Sequence, residues 1–319
     1  MPYGLNFRFP PSFRGAGGLT LTEQVQALFA NGEQGVLYYL TEDFAGLYQG
    51  ANGLAPVTAV GQPVGLMLDR RFGLARGPEL GTVNVSLADF TTTAEVTAED
   101  LGDRIRFTRT GVAYASVNQV IFNSEPVVTS KTYDASFTVL ATGASNSVRT
   151  SALNGGGTAF VPPNYATGHT LRRAITVATG AGNGRIMFTF SVSRGANPST
   201  AVEGDWFEIA KTLSVRELPG NHASQATATA RPTLRSGPLR IDYDGVDDYL
   251  RTVFPALGSN VAIARSIPGV GAQILTGQTI AAGNWDDNVD SCATLVIDRA
   301  LTGPETALVT AFLNQQAGV

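Results

Sequence analysis

The sequence predicts a mostly β protein, built from antiparallel β-sandwich or jelly-roll modules with a short N-terminal helix and a C-terminal helix. Three observations predict this fold class. Apolar and polar residues alternate over many short segments, which is the period of a strand with one buried face. Turn signals rich in Gly, Asn and Pro separate these segments, and the chain contains 36 glycines. Long helical patterns are scarce, whereas short β-prone runs recur at the spacing typical of sandwiches.

The N-terminal region, 1–34, is predicted to be an arm and a short helix that anchor the chain during assembly. Residues 1–18 are rich in Pro, Gly and aromatic residues and cannot form a core alone. They are expected to be either disordered or an extended arm that lies on a partner. In the second case the contacts would come from Phe7, Phe9 and Phe13.

Two helices are predicted from their local signals. Residues 20–31 begin with a capping box formed by Thr20 and Glu23 and are followed by a glycine. Thr302 and Glu305 form a second capping box near the end of the chain, with a proline in the first turn. The predicted apolar faces are Val25, Leu28 and Phe29 in the first helix, and Leu308, Ala311 and Phe312 in the second.

The remaining chain is predicted to form four parts. Residues 35–80 are a small β segment of short strands, and 81–217 are a jelly-roll domain with the strongest period-two signal. Residues 218–231, LPGNHASQATATAR, are small and polar and predict a linker. Residues 232–319 are predicted to be a compact β-sandwich with the C-terminal helix. The strands predicted within the jelly roll are 103–109, 135–141, 171–179, 185–193 and 205–218.

Charge and composition narrow the classes of partner. The net charge is −4 and only 15% of residues are charged, so binding to nucleic acid has no electrostatic support. Of 22 basic residues, only Lys131 and Lys211 are lysines. Arginine suits partly buried ion pairs and packs flat at interfaces, so this surface favours a protein that sits against neighbours.

Cysteine content and hydropathy indicate how the chain is used. Cys292 is the only cysteine, so no disulfide forms within the chain, and its apolar surroundings predict a buried free thiol. No segment has the pattern of a signal peptide or the length of a membrane span. We therefore expect synthesis in a cytoplasm and no membrane insertion.

An acidic stretch, IDYDGVDDYL (241–250), is the first candidate site. Asp244 followed by Gly245 is a strong tight-turn pair, which favours a structural turn. Calcium would need roughly six to eight oxygen ligands, and the spacing is not that of an EF-hand. We predict that the chain needs no cofactor, with a Ca²⁺ site at this turn as the alternative. Its ligands would be Asp242, Asp244, Asp247 and Asp248, helped by the nearby Asp286, Asp287 and Asp290.

Catalytic patterns are weak. The sequence has no G-x-S-x-G elbow, and His169 and His222 are its two histidines. His169 precedes a strand and His222 lies in the predicted linker, where a solvated or locally hydrogen-bonded role is expected. Asp205 and Glu208 would face opposite sides of a strand, whereas glycan cleavage needs two facing carboxylates. We predict that the chain is not an enzyme.

Bulky aromatic residues are the second candidate site, for contact with a glycan or a partner. Trp285 lies in AAGNWDDN, a predicted polar turn where a large apolar ring is unusual. It is the preferred contact residue. Trp206 is followed by Phe207 in a strand, so a core position is expected for it, and Tyr133 and Tyr165 are weaker candidates.

Three places carry a family resemblance. PVTAVGQPVGLMLDRRFGLARGPEL (56–80) resembles a segment of tail-associated and other virion proteins of bacteriophages and prophages. SVRELPGNHASQATATARPTLR (214–235) resembles the connector of the same group. RIDYDGVDDYL (240–250), together with residues 295–319, is similar to concanavalin A-like, laminin-G-type lectin domains. The region 81–217 is similar to carbohydrate-binding-module jelly rolls, chiefly in its ending, GDWFEIAKTLSVREL.

The chain also departs from this pattern. LYYLTED (37–43) lacks the tryptophan that the family carries there, and 232–319 is too short for a full two-sheet domain. We therefore expect a trimmed sandwich, or one completed by the preceding domain.

The resemblance implies a non-catalytic structural protein of a tailed-phage virion, such as a tail, fibre or particle-surface component. It would be assembled in the bacterial host cytoplasm, with other virion proteins and further copies of itself as partners. A homo-oligomer is expected on a symmetric particle, and a trimer would suit a fibre. The alternatives are a receptor-binding protein for host-surface glycans and, more distantly, a capsid decoration or cement protein or a polysaccharide depolymerase.

Overall fold

The computed structural model describes residues 18–319 except 52, 54, 81–83, 93–95, 112–119, 127, 129–130, 144–146, 154–168, 177–184 and 194–202. The protein is mostly β, with antiparallel sheets, a short helix near the N-terminus and a C-terminal helix. The predicted fold class is therefore confirmed. Four of the predicted contact residues lie outside the described residues, namely Phe7, Phe9, Phe13 and Tyr165.

The strands fall into three groups along the chain. The first group is β1 (Gly35–Tyr39), β2 (Leu47–Tyr48) and β3 (Leu66–Met67). The second group is β4 (Phe90–Thr92), β5 (Val96–Asp100), β6 (Arg104–Arg109), β7 (Val120–Pro126), β8 (Thr132–Thr142), β9 (Ser147–Leu153), β10 (His169–Thr176), β11 (Arg185–Ser193), β12 (Trp206–Ala210) and β13 (Ser214–Leu218). The third group is β14 (Ala223–Ser224), β15 (Thr233–Arg235), β16 (Arg240–Asp242), β17 (Leu250–Phe254), β18 (Gly258–Ile267), β19 (Gly271–Ile280), β20 (Gly283–Asp287) and β21 (Ala293–Ile297). The helices are α1 (Leu21–Gln26) and α2 (Gly303–Ala317), with short 3-10 helices at Ala27–Phe29, Leu87–Asp89 and Ala228–Ala230.

The first and third groups form one unit, which we call the base. One of its sheets has the order β1-β21-β18-β19, and the other has the order β2-β3-β14-β17-β20. The described residues of 35–80 therefore form no separate sheet, which differs from the predicted division of the chain. The C-terminal sandwich is completed by this earlier segment rather than by the directly preceding module.

Strand β1 shows why its sequence is a continuous apolar run. Val36 and Tyr38 point into the core between the two sheets of the base. Leu37 and Tyr39 point to the opposite face, against the two helices. All five residues of β1 are buried because both of its faces are covered. The base thus has three layers: helices, one sheet, and the second sheet.

Both helices begin where their capping boxes predict. Thr20 and Glu23 cap α1, and Thr302 and Glu305 cap α2, in each case through reciprocal side-chain and backbone hydrogen bonds. The apolar face of α2 differs in part from the prediction, because Ala311 is exposed. The buried residues of α2 are Val309, Phe312, Leu313 and Ala317.

The second group of strands forms a separate unit, which we call the inserted module. One sheet has the order β10-β8-β12-β6-β5, with β13 also paired to β8, and the other has the order β4-β7-β11-β9. Strand β6 alternates strictly, so that Ile105 and Phe107 are buried while Arg104 and Arg106 are half exposed. The ring centroids of Phe107 and Phe90 lie 5.2 Å apart and connect the two sheets. The rings of Phe107 and Phe207 are 5.1 Å apart in the same core.

Residues 218–231 differ from the predicted linker. Strand β14 pairs with both β3 and β17 in the second sheet of the base. Ala223, Gln225 and Ala230 are buried. This segment is therefore part of the base, because it is paired into the sheet and partly buried there.

Two further expectations concern Cys292 and membrane insertion. Cys292 is a buried free thiol, as predicted, and its burial raises the pKa of the thiol. Within the described part of the chain, no helix has the length and apolar character needed to cross a membrane.

Candidate functional site

Two segments distant in sequence, 66–80 and 214–225, lie against each other where the inserted module leaves the base and returns to it. We call these two segments the joint. The backbone N–H of Leu80 donates to the carbonyl of Val215 at 2.8 Å, so the two crossings of the chain are paired like strands. The joint contains the core of the two long segments, 56–80 and 214–235, that were singled out in the sequence.

The carboxylate of Glu79 connects the two segments at the outer end of the joint, the end next to the inserted module. It accepts hydrogen bonds from the Ser214 hydroxyl and the Val215 N–H, each at 2.7 Å. It also accepts from Nε of Arg216 at 2.9 Å. One carboxylate therefore binds three consecutive residues of the returning chain, which fixes the register of the two crossings.

The carboxylate of Asp69 fastens the inner end of the joint and is only 1% exposed. Its Oδ1 accepts from the backbone N–H groups of Leu37 at 3.1 Å and Arg71 at 3.0 Å. Its Oδ2 accepts from Nε of Arg71 at 2.7 Å and from the N–H of Asn221 at 2.9 Å. Asp69 thus connects β1, its own segment and the returning segment, and Arg71 balances its buried charge.

The joint also covers the outer edge of β1, which has β21 as its only strand partner within the described sheets. The N–H of Arg70 donates to the Leu37 carbonyl at 2.8 Å. The side-chain amide of Asn221 donates to the Gly35 carbonyl at 3.0 Å. Unpaired strand edges invite association with other chains, and here joint residues occupy the edge.

The imidazole of His222 joins the two crossings. Its Nδ1 accepts from the backbone N–H of Asp69 at 2.9 Å. Its Nε2 lies 3.1 Å from the carbonyl of Leu218 and, as the protonated nitrogen of the neutral ring, donates to it. Burial lowers the pKa of His222, while the nearby Asp69 opposes that shift.

The hydroxyl of Tyr38 carries the network from the joint into the core of the base. It donates to the carbonyl of Asn221 and also lies 2.8 Å from the Thr252 hydroxyl. Burial raises the pKa of Tyr38 well above its ordinary value. Sequence reasoning missed Asp69 and Tyr38, although an acid followed by two arginines in an apolar run, LMLDRR, was a usable signal.

The acidic stretch forms a turn closed by its own side chains. Gly245 has a φ of +73°, and Oδ1 of Asp244 accepts from the N–H groups of Val246, Asp247 and Asp248 at 2.8 to 3.2 Å. Carboxylate oxygens of Asp244, Asp247 and Asp248 lie within 4.8 Å of one another. The hydrogen bonds account for a structural turn, and a Ca²⁺ ion at these three groups stays a prediction.

The other acids considered as calcium ligands are engaged elsewhere. Asp242 pairs with Arg235 and Arg240 on the neighbouring strand and its own. The remaining three are each bound to a different partner: Asp286 to Arg251, Asp287 to Arg265, and Asp290 to the N–H of Tyr243.

Of the predicted aromatic contact residues, the three that the structure describes, Trp285, Trp206 and Tyr133, do not form one exposed cluster. Trp285 lies in strand β20 rather than in a polar turn, and its half-buried ring packs against the core of the base, 5.8 Å from the Phe254 centroid. Tyr133 is 1% exposed, so it is not available as a glycan contact. Its hydroxyl accepts from the N–H of Val128 at 2.9 Å.

Trp206 does not occupy the core position that was predicted for it. Phe207 fills the core, and Trp206 lies half-buried on the opposite face of the same sheet. The guanidinium of Arg106 sits 4.6 Å from the centre of its ring. Glu208, two residues along and on the same face, is held by Arg106 and by Arg104, the latter at 3.1 Å. This face therefore combines an aromatic ring with planar charged groups.

No family model matches the sequence, and no curated protein is significantly similar to it. One similar solved structure is the enzymatically active domain of tailspike protein 4 of bacteriophage CBA120, with 14% identity and a TM-score of 0.29 over 44% of this chain. The chain spans only 21% of that domain. Another is the tandem CBM22-1–CBM22-2 domain of Paenibacillus barcinonensis Xyn10C, with 9% identity and a TM-score of 0.34 over 72% of this chain and 90% of that one. At these values the likeness of the chain to a phage tail protein or a carbohydrate-binding module is loose and carries no argument about its activity.

Proposed function

We propose that this chain is a non-catalytic structural component of a tailed-phage or prophage virion, in which the base carries and presents the inserted module. One observation carries this proposal: the two segments that resemble phage virion proteins meet in space and form the joint. The polar groups of these two segments are hydrogen-bonded to one another and to β1. The resemblance therefore falls on the part of the chain that attaches the inserted module to the base.

The geometry of the joint supports a role in presentation. The chain leaves the base at Leu80 and returns beside it at Val215, so the inserted module hangs from two paired crossings. Glu79 and Asp69 fix the outer and inner ends of these crossings. Two hydrogen-bonded crossings resist bending and twisting better than a single flexible linker does.

The same proposal implies a position for the chain within the particle. The N-terminal part would contact other virion proteins, and further copies of the chain would surround the particle axis, as a trimer if the chain belongs to a fibre. A tail, fibre or particle-surface position would leave the inserted module facing outward. A capsid decoration or cement role is the related alternative.

Binding to host-surface glycans is the second candidate function, and the face around Trp206 favours it. Aromatic rings stack on sugars, and a planar charged group such as the partly exposed guanidinium of Arg106 hydrogen-bonds to hydroxyls. Depolymerase activity is a more distant alternative. Among the acids considered for it, Glu208 is committed to two arginines.

The first experiment is to purify particles from the phage or induced prophage that encodes the chain and to analyse them by mass spectrometry and cryo-electron microscopy. We expect the chain in stoichiometric amount, with the inserted module projecting outward. Its absence from particles would overturn the proposal. Deleting residues 1–17 then tests anchoring more cleanly than deleting 1–34, because Val25, Leu28 and Phe29 belong to the core of the base.

A glycan array separates the second candidate from the first. If the Trp206 face binds sugars, binding by the full chain will be lost in Arg106→Ala and kept in Arg251→Ala. Arg251 is a matched control because it also lies over an aromatic ring and pairs with an acid, but in the base.

A further inference from the structure

Both ring nitrogens of His222 form hydrogen bonds that connect the two crossings of the joint. Nδ1 accepts from the Asp69 N–H, on the outgoing crossing of the joint. Nε2 donates to the Leu218 carbonyl, on the returning crossing. An imidazole can accept at one nitrogen and donate at the other only when it is neutral. Protonation would turn Nδ1 into a donor that faces another donor.

The charged groups near the His222 ring already have other partners within the joint. Asp69 and Arg71, both on the outgoing crossing, are the charged groups that act on His222, and they oppose each other. The Asp69 carboxylate already receives hydrogen bonds from Arg71 and from backbone N–H groups. From β1 the facing titratable group is the hydroxyl of Tyr38, which is neutral and bound to Asn221 and Thr252.

We propose that the joint is acid-sensitive. Protonation of His222 breaks its hydrogen bond with the Asp69 N–H and so weakens the attachment of the inserted module to the base. This goes beyond the proposed virion role and does not depend on it. Burial lowers the pKa of His222 below its ordinary value of about 6.5. A group with a lowered pKa contributes its full stability above the unfolded value and loses it as the pH falls. The link is therefore complete in neutral solution and is lost progressively on acidification below about pH 6.5.

The chain offers a matched control, since His169 and His222 are its two histidines. We would measure hydrogen exchange of the full chain between about pH 7.5 and 5.5, where histidines of ordinary pKa titrate and carboxylates of ordinary pKa do not. Peptides covering 66–72 and 217–225 should exchange faster at the lower pH after correction for the intrinsic rate, by up to about tenfold per pH unit. His222→Asn, which keeps an acceptor for the Asp69 N–H, should abolish this dependence, and His169→Gln should retain it.

A second measurement keeps the proposal falsifiable if His222→Asn does not fold. The imidazole C–H signals of the wild-type chain are followed by NMR, with His169→Gln used for assignment. A His222 signal that titrates below 6.5 supports the proposal. A signal that titrates at or above 6.5, or an exchange step that persists in His222→Asn, overturns it.

Discussion

Gly220 packs so tightly against Asp69 that a Cβ atom at residue 220 would lie 2.7 Å from Oδ2 of the Asp69 carboxylate. Gly220 also has a φ of +131°, a conformation that residues with side chains rarely adopt. The backbone of the returning crossing thus lies so close to the Asp69 side chain on the outgoing crossing that no Cβ atom fits between them. The N–H of the next residue, Asn221, can therefore reach the same carboxylate.

The first prediction compares Gly220→Ala with Gly102→Ala. Both glycines have positive φ, but a Cβ at Gly102 would meet nothing within 4 Å. Backbone strain of this kind costs about 1–3 kcal/mol and acts in both variants, whereas the clash with Asp69 acts in one. We expect Gly220→Ala to lose clearly more free energy of unfolding in urea titrations. Equal losses would mean that the close approach at the joint does not matter for stability.

The second prediction concerns Asp69→Ala. This variant leaves the guanidinium of Arg71, 5% exposed, without its carboxylate and removes the acceptor of three backbone N–H groups. Breaking a buried ion pair from one side costs roughly 3–5 kcal/mol. Asp103→Ala is the control, because its carboxylate is exposed and pairs with Arg104 at the surface. Thermal unfolding should show a large shift for the first variant and little change for the second.

The third prediction concerns the start of α2. Thr302→Ala removes the side-chain acceptor of the Glu305 N–H, and loss of such a cap costs about 1 kcal/mol. Thr310→Ala, in the middle of the same helix, is the control and should change stability less. Chemical denaturation at neutral pH would measure both. An equal effect of the two variants would argue against the cap.

The fourth prediction uses pH at the same cap. Hydrogen bonds from Arg299 and Thr302 lower the pKa of Glu305 to about 2. Because the folded pKa is depressed, the stabilisation is present above the ordinary value near 4.5 and is lost as the pH falls toward 2. Glu305→Gln should therefore destabilise the chain most near neutral pH and have a shrinking effect below pH 4.5. An effect that is independent of pH would show that the charge of Glu305 is not involved.

The fifth prediction separates the two interpretations of the acidic turn. If the turn is structural, Asp244→Ala will lower the melting temperature in the presence of a chelator, because three N–H groups lose their acceptor. Asp247→Ala will then have little effect, and added Ca²⁺ will not change the melting temperature of the wild type. If calcium binds, both variants will weaken Ca²⁺ binding measured by calorimetry.

Local features of the fold were predictable from the sequence, because they depend on residues a few positions apart. The capping boxes at Thr20 and Thr302 involve side chains three residues from their partners. The alternation of buried and half-exposed residues in β6 reflects the two-residue period of a strand. The turn at Gly245 depends on its own neighbours in the same way.

The pairing of distant segments was not predictable in this way. Gly35 pairs with Ile297, and Ala223 pairs with Met67, across most of the chain and across the inserted module. Nothing in the local pattern of 218–231 indicates that small residues there fill a strand position in the base. Trp206 and Trp285 were assigned to the wrong kinds of position for the same reason, since burial of a ring depends on which sheet lies beneath it.

The pairing of β1 with β21 has a consequence for synthesis. During translation β1 leaves the ribosome long before its neighbour in the sheet, Ala293–Ile297, has been made. The strands of the inserted module pair among themselves, so that module can finish folding while the nascent base is still incomplete. The apolar faces of β1 must remain shielded through this interval. Premature termination before Ala293 would therefore leave a folded inserted module on an unfinished, aggregation-prone base.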